Sequence, residues 1–331
     1  YRRIGERVAQ VADALVTQGD GARRIAQQAR LHGLTAGQVL ETYTPEDAIR
    51  GLIDRLQEGD TALVKGTLES RMERVVAGLL ARPGQVSELL VRQTAGWRKV
   101  RLKHPGRPTW LEVDLEAVAY NVRRVVEIVG PAVKVLAVLK ADAYGHGAVR
   151  IARTVLNNGA YCLGVASINE GLALRKAGIS APILVLGFTP AWQARELVLN
   201  SLSATVFDMD VAQALSRAAG QLDRQVKVQV KVDTGMGRLG VLPDDVVPFV
   251  LALRSLPQLV MEGIFTHFSV ADADPAYTRW QADRFQRVLE ALSKEGVDVP
   301  LIHAANSAAI LSLPESHFGM VRLGIAMYGL H

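Results

Sequence analysis

Val133-Lys134-Val135-Leu136-Ala137-Val138-Leu139-Lys140-Ala141-Asp142-Ala143-Tyr144-Gly145-His146-Gly147 is the stretch on which the reading of this chain turns. Its first half is a strand-length apolar run, broken only by Lys134. Apolar residues fill odd and even positions alike, as in a parallel strand buried on both faces. Its second half is a glycine-closed turn that opens on a lysine. Working outward, seven further runs of the same kind follow: Tyr161–Ala166, Ile183–Leu186, Ala204–Phe207, Val226–Val232, Val260–Thr266, Leu301–Ala304 and Met320–Ile325. Amphipathic helical segments of about ten residues or more separate most of them. The longest is Pro275 to Lys294, and a shorter connection spans Ser307–Leu313. A strand and helix, Trp110–Leu115 and Glu116–Val129, open the series. Eight β/α units in about 200 residues predict a (β/α)8 TIM barrel. An open doubly wound sheet is the alternative.

Composition narrows the class. With 331 residues, 49% of them hydrophobic and 21% charged, the chain is a globular protein with room for two domains. No run reaches the roughly 18 apolar residues of a membrane span. The single Cys162 rules out an internal disulfide or a cysteine-built zinc site and points to a buried thiol in a reducing, cytoplasmic setting. No metal site is expected. The net charge of +5 is uneven: residues 1–109 hold 18 basic and 12 acidic residues. The excess peaks at Arg98, Lys99, Arg101, Lys103 and Arg107, beside Pro105 and Pro108, and reads as a solvated linker rather than a nucleic-acid surface.

Before Pro108 the pattern is mostly helical. Helical spacing runs over Arg7–Leu15 and Gly21–Leu31. Thr44-Pro45-Glu46-Asp47 is a helix start, with Thr44 as cap and Pro45 in the first turn, and the helix is expected to reach about Leu56. Thr61–Gly66 reads as a short strand and Met72–Leu80 as a helix, broken by Arg82-Pro83-Gly84.

A barrel places its chemistry just after the strands. There the sequence offers Lys140, whose position after an apolar run predicts partial desolvation and a nucleophilic amine. The fifth run ends in Lys231-Val232-Asp233-Thr234-Gly235-Met236-Gly237-Arg238-Leu239-Gly240. Its glycines satisfy the dinucleotide pattern, but the helix starts only after them, at Pro243, and the unit is fifth in its series. The better reading is a loop that brings backbone close to a ligand and presents Arg238 to a carboxylate or phenolate. The sixth run ends in His267. The seventh ends in His303-Ala304-Ala305-Asn306-Ser307, where Ser307 and the following amides suit an anion. The eighth holds Arg322 in an apolar run and leaves the Gly324 N–H accessible. A lysine nucleophile, two arginines, a histidine and an anion cradle, with no metal-ligand motif, point to pyridoxal phosphate.

These segments resemble alanine racemase, a fold-type III pyridoxal-phosphate family, from about Thr109 to His331. Val138–Gly147, Lys231–Gly240 and Val321–Ile325 resemble three of its signatures in the same order. The resemblance implies that Lys140 forms the Schiff base and is the base on one face of the substrate. It implies that Tyr144, Asn306, Ser307, Gly324 and Ile325 surround the phosphate, that Arg322 faces the pyridine nitrogen and that His267 packs on the ring. Arg238 would meet the phenolate and the substrate carboxylate, and Lys231 matches a lysine that some members carry as a carbamate. The family's second base is a tyrosine in a C-terminal β-domain, acting across a homodimer. This chain stops at Tyr328-Gly329-Leu330-His331, so it is read as a fragment that binds the cofactor and racemises poorly. The substrate implied is a small-molecule amino acid, alanine first, with serine as another candidate. A pyridoxal-phosphate carrier barrel is the competing reading.

The first third resembles the C-terminal domain of a Mur ligase, the one adding D-alanyl-D-alanine to a UDP-muramoyl-tripeptide. Ile4-Gly5-Glu6 with Ala12-Asp13, Gly19–Gly33 and Gly59–Thr67 through Arg71–Val76 carry this likeness. The expected organisation is therefore a partial ligase domain at 1–84, a linker at 85–108 and the racemase barrel at 109–331. A ligase–racemase fusion would join D-alanine production to its use in peptidoglycan, with no nucleic-acid or membrane partner.

Overall fold

Eight apolar runs become eight parallel strands, and those strands close on themselves. The computed structural model describes residues 1–67, 70, 72–82, 85–90 and 111–330. It divides into two units, Tyr1–Glu116 and Ala117–His331.

The first unit is built on two short strands, β1 (Leu15–Gln18) and β2 (Val39–Thr42), paired in parallel. Helices α1 (Arg2–Val11), α2 (Asp20–Leu31), α3 (Pro45–Ile53), α4 (Glu73–Leu79) and α5 (Val86–Leu89) accompany them. Ala26, Ala29, Leu34 and Val39 form a small core. The predicted helix start holds: Thr44 caps α3 by accepting from the Asp47 N–H at 3.1 Å. The helix ends at Ile53, short of Leu56. Two expectations fail. Leu15 belongs to β1 and not to the first helix, and neither four-residue strand is long enough to show a period. Thr61–Gly66 forms no strand; Leu63 is 88% exposed, so nothing there is buried to hold one. Most of the expected linker, including its basic cluster, lies outside the described residues, as do Pro83, Gly84, Arg71 and Trp110.

The second unit is a closed barrel of β3 (Lys134–Val138), β4 (Cys162–Val165), β5 (Ile183–Val185), β6 (Ser203–Val206), β7 (Val226–Lys231), β8 (Leu259–Phe265), β9 (Leu301–His303) and β10 (Met320–Leu323). β10 pairs with β3 in parallel, Arg322 opposite Leu136, and this pairing excludes the open sheet. Helices α6 (Leu115–Val129), α7 (Ala148–Asn157), α8 (Ile168–Lys176), α9 (Ala194–Leu199), α10 (Met209–Gln221), α11 (Val246–Arg254), α12 (Pro275–Lys294) and α13 (Ser307–Ser312) alternate with the strands. Residues 111–114 carry no strand, so the opening strand expected at Trp110–Leu115 is absent from its described part. β4, β5, β6 and β10 are buried at every position, as continuous apolar runs require. Leu136, Val138, Cys162, Leu184, Leu301 and Met320 pack together inside the barrel. Cys162 is buried and free, as its sequence context predicted. Among the described residues no helix is long and apolar enough to cross a membrane.

Candidate active site at the C-terminal mouth of the barrel

Among the described residues, the turn after β3 holds the longest run of non-glycine residues at positive φ. Ala141, Asp142, Ala143 and Tyr144 all lie at φ between 53° and 57°, so the helical turn Lys140–Tyr144 winds left-handed. Each such residue costs roughly 1–2 kcal/mol. Its neighbours hold it: Glu170 accepts from the Ala141 N–H at 2.9 Å and the Ala166 N–H at 2.7 Å, tying the ends of β3 and β4 together. The Asp142 carboxylate accepts from the Ala148 N–H at 2.7 Å, and Gly145 closes the turn at φ 83°. Strain held in place this way concentrates at functional sites in proteins generally, which makes this turn a candidate. The turn carries Lys140 at one end and Tyr144 at the other. Lys140 Nζ lies 5.4 Å from the centre of the Tyr144 ring. Lys140 itself is exposed, which corrects the expected desolvation. It follows the buried Leu139 just past the C-terminal end of β3.

Tyr144, Ser307 and Gly324 converge. The Ser307 hydroxyl accepts from the Gly324 N–H at 3.0 Å and the Ala326 N–H at 3.2 Å. A Cβ placed on Gly324 would come 3.2 Å from the Tyr144 hydroxyl and 3.6 Å from Ser307 Oγ. The Tyr144 and Ser307 hydroxyls thus border the side of Gly324 where a Cβ would stand, next to the Gly324 and Ala326 N–H groups that Ser307 gathers, donor types that suit a phosphate. Burial raises the Tyr144 pKa, keeping its hydroxyl a neutral donor. Asn306 caps α13, accepting from the Ala309 N–H at 3.1 Å and donating to the Phe268 carbonyl at 3.3 Å. Its observed work is to fix the turn that carries Ser307. Ile325 begins the 3-10 turn after β10 and is 43% exposed.

Arg322 lies inside the barrel and is 4% exposed. Its Nη1 donates to His303 Nδ1 at 2.9 Å. Its Nη2 is shared among the Thr266 carbonyl at 2.7 Å, the Ala304 carbonyl at 2.8 Å and His267 Nδ1 at 3.1 Å. Burial lowers the guanidinium to about 9, and at neutral pH it remains a cation. Burial first, then the charges of Arg322, Lys231, Arg238 and Lys140, lower His267 to about 2, so both histidines around Arg322 are neutral acceptors. His303 stacks on Phe265 with ring centres 4.7 Å apart.

The glycine loop after β7 folds around Asp233. Its carboxylate accepts from the N–H groups of Gly235 (3.0 Å), Met236 (2.8 Å), Gly237 (3.1 Å) and Arg238 (3.1 Å). Burial works to raise the Asp233 pKa, but these four bonds outweigh it and the net shift is downward. Gly240 is required: at φ 135° its Cβ would meet the Asp233 nitrogen at 2.5 Å. The loop is a carboxylate-centred fold that carries Arg238, and α11 starts beyond it, as the sequence implied. Lys231, 4% exposed, closes β7 beneath the loop. Burial, then Arg238 and Arg322, lower it to about 8. The fold therefore brings Lys231, Arg238, Arg322 and Lys140 within electrostatic reach of His267.

Sequence reasoning overlooked three participants. His303 is the last residue of β9, and a polar residue ending a buried run was the available signal. Gln229, inside the apolar alternation of β7, was another. Tyr328 stacks on His146 at 4.4 Å and lies 5.1 Å from the Tyr144 ring, an arrangement no local pattern reveals. Among the described residues no group of His, Cys, Asp and Glu is arranged to hold a metal.

Comparison with known proteins meets this geometry. The family model for the alanine racemase N-terminal domain matches residues 113–331. Alanine racemase 1 of Oceanobacillus iheyensis is 46% identical over 227 residues, covering 68% of this chain and 60% of that protein. The alanine racemase of Desulfosudis oleivorans is 48% identical over 232 residues, covering 67% and 60%. The chain thus spans about three fifths of the length of these curated relatives. Among solved structures, alanine racemase of Clostridium difficile 630 in complex with cycloserine superposes with a TM-score of 0.67 at 36% identity, covering 69% of this chain and 63% of that one. With this lysine, this buried arginine and these hydroxyls and amides at its strand ends, and matched over two thirds of its length, the chain belongs to the alanine racemase family through its N-terminal domain.

Proposed function

We propose that the barrel holds pyridoxal phosphate and serves, in its whole protein, the interconversion of L-alanine and D-alanine. The observation that carries this reading is the cradle of Tyr144, Ser307 and Gly324 at the mouth shared with Lys140 and Arg322. Tyr144, Ser307 and the Gly324 and Ile325 amides would hold the phosphate, with Asn306 setting the turn. Lys140 would hold the cofactor covalently. The cofactor, when bound, supplies an electron sink for the charge left at the α-carbon. Lys140 Nζ takes and returns the α-proton on its own face. His267 would pack on the ring as a neutral imidazole. Arg322, held by His303, Thr266 and Ala304, would face the pyridine nitrogen as a cation that donates and cannot accept, and so would oppose protonation there. Arg238 meets the substrate carboxylate. Inversion needs a second acid–base group on the opposite face, which the family resemblance assigns to a tyrosine of a C-terminal domain across a homodimer.

The reading carries with it a cytoplasmic role in D-alanine supply for the cell wall. The test is direct: incubate the chain with pyridoxal phosphate, reduce with borohydride and map the modified peptide. A single adduct on Lys140, lost in Lys140→Ala, is the expected result; adducts scattered over surface lysines would refute it. For the first unit we propose descent from a Mur ligase C-terminal domain, supported by the sequence likeness and the parallel β1–β2 pair flanked by helices. Replacing that domain of an active ligase with residues 1–84 tests it: no recovered ligation counts against it.

A further inference from the structure

A chain of hydrogen bonds runs from Arg322 to the opposite end of the barrel. Arg322 Nη1 donates to His303 Nδ1 at 2.9 Å. His303 Nε2 lies 2.8 Å from Gln229 Oε1, and Gln229 Nε2 donates to Glu262 Oε1 at 3.0 Å. Glu262 and Gln229 line a cavity of about 210 Å³ at the N-terminal ends of the strands, together with Lys134, Lys227, Cys162 and Ser203. Lys227 Nζ stands 3.5 Å from Glu262 Oε2.

The direction of every bond follows from its lower end. An ionised carboxylate only accepts. Gln229 must therefore turn its NH2 to Glu262 and its carbonyl oxygen to His303. That oxygen needs a donor, so His303 carries its proton on Nε2. A neutral imidazole has one N–H. Nδ1 is then a lone pair, the only form that accepts from Arg322. If Gln229 flipped, its NH2 would face Nε2, the proton would move to Nδ1, and two donors would oppose each other in a fully buried site.

The backbone is shaped for this contact. The β7–β8 register shifts between Val228 and Gln229: Val228 pairs with Met261 and Gln229 with Gly263, so Glu262 is the extra residue of a bulge. Bulges re-aim side chains. Gly263 makes room beside it, because a Cβ there would lie 3.4 Å from Gln229 Cδ and 2.5 Å from the Leu301 carbonyl oxygen.

We propose that Glu262 and Gln229 are positioning residues that, with Arg322 donating at the other nitrogen, lock the tautomer of His303 and hold its ring against Arg322. The consequence for the cofactor rests on the reading of Arg322 given above; the tautomer itself does not. The test uses the chain labelled with 15N-histidine and no cofactor. His303 is assigned by the signal lost in His303→Asn. In the wild type its Nε2 is protonated and its Nδ1 is not. Glu262→Lys, which can only donate, turns the Gln229 carbonyl toward itself and the Gln229 NH2 toward Nε2, so that His303 faces a donor at each nitrogen and shows mixed or displaced nitrogen shifts. Glu262→Gln, whose carbonyl still accepts from Gln229, keeps the single tautomer. An unchanged His303 pattern in folded Glu262→Lys overturns the proposal. So does loss of the pattern in Glu262→Gln. Failure of borohydride trapping on Lys140 would instead refute the function reading and leave this result standing.

Discussion

Replacing Lys231 with methionine stabilises the cofactor-free chain. Lys231 is 4% exposed at the end of β7, with Arg238 and Arg322 acting on it and only Asp233 acting the other way. Its amine is lowered to about 8. An unfolded lysine titrates near 10.4, and each factor of ten in proton affinity is about 1.36 kcal/mol. Holding the ammonium inside thus costs the fold on the order of 3 kcal/mol at neutral pH. The sign follows from linkage. The folded pKa lies below the unfolded one, so the cost is full below pH about 8 and fades between about 8 and 10.4, where the unfolded chain binds more protons and stability rises with pH. Lys231→Met is unbranched and one atom shorter, and it removes the charge. Urea denaturation at pH 7 should show the variant about 2–3 kcal/mol more stable, allowing for imperfect packing. The wild-type advantage of raising pH from 8 to 10 should shrink in the variant. Comparing the two chains at each pH separates Lys231 from Arg322, which both retain. Bicarbonate adds a second arm. The neutral amine attacks carbon dioxide, a C–N bond forms, and the departing proton leaves a carbamate anion beside two arginines. The wild type should then gain the mass of one carbon dioxide and become more stable at pH 8, and the variant should do neither. A variant no more stable than the wild type at pH 7 would refute the reasoning about burial. A wild type indifferent to bicarbonate would refute the carbamate alone.

Further outcomes are expected elsewhere. Gly324→Ala should weaken pyridoxal-phosphate binding by on the order of tenfold or more, read by absorbance titration, because its Cβ enters the Tyr144–Ser307 space. Asp233→Asn should cost about 1–3 kcal/mol by denaturation, since the carboxylate accepts four N–H groups. Asp233 titrates below its unfolded value, so its stabilisation is present above about pH 4 and is lost as pH falls through the folded value; acid titration of the variant should lack that loss. Thr44→Ala should destabilise the first unit by about 1 kcal/mol through loss of the α3 cap. His267, held to about 2, should show no protonation step between pH 5 and pH 9 by histidine NMR.

Much of this protein is written locally. Each barrel strand is a run of apolar residues, and burial on both faces is a demand that such a run makes by itself. The runs were therefore visible within a residue or two of their observed ends. So were the polar groups following them, because a lysine or an arginine at the end of an apolar run stands out. The glycines of the Asp233 loop and the Thr44 cap were equally legible, since each answers to a backbone need within a few residues. β1 and β2 were not, because four residues carry no period. The exposure of Lys140 was not, because it depends on what covers the barrel mouth.

Tertiary structure decided the rest, for one physical reason: neighbours in space are distant in the chain. Closure depends on β10 meeting β3, a contact between Arg322 and Leu136 that no local pattern encodes. The lowered pKa of Lys231 comes from the barrel interior and from arginines on other segments. The tautomer of His303 answers to Arg322 on one nitrogen and, through Gln229, to a carboxylate at the far end of the barrel, delivered by a one-residue bulge in β8. By itself the sequence determined which groups the barrel would carry. Only the packed barrel decided which of them are buried together, and hence what charge and proton each one holds.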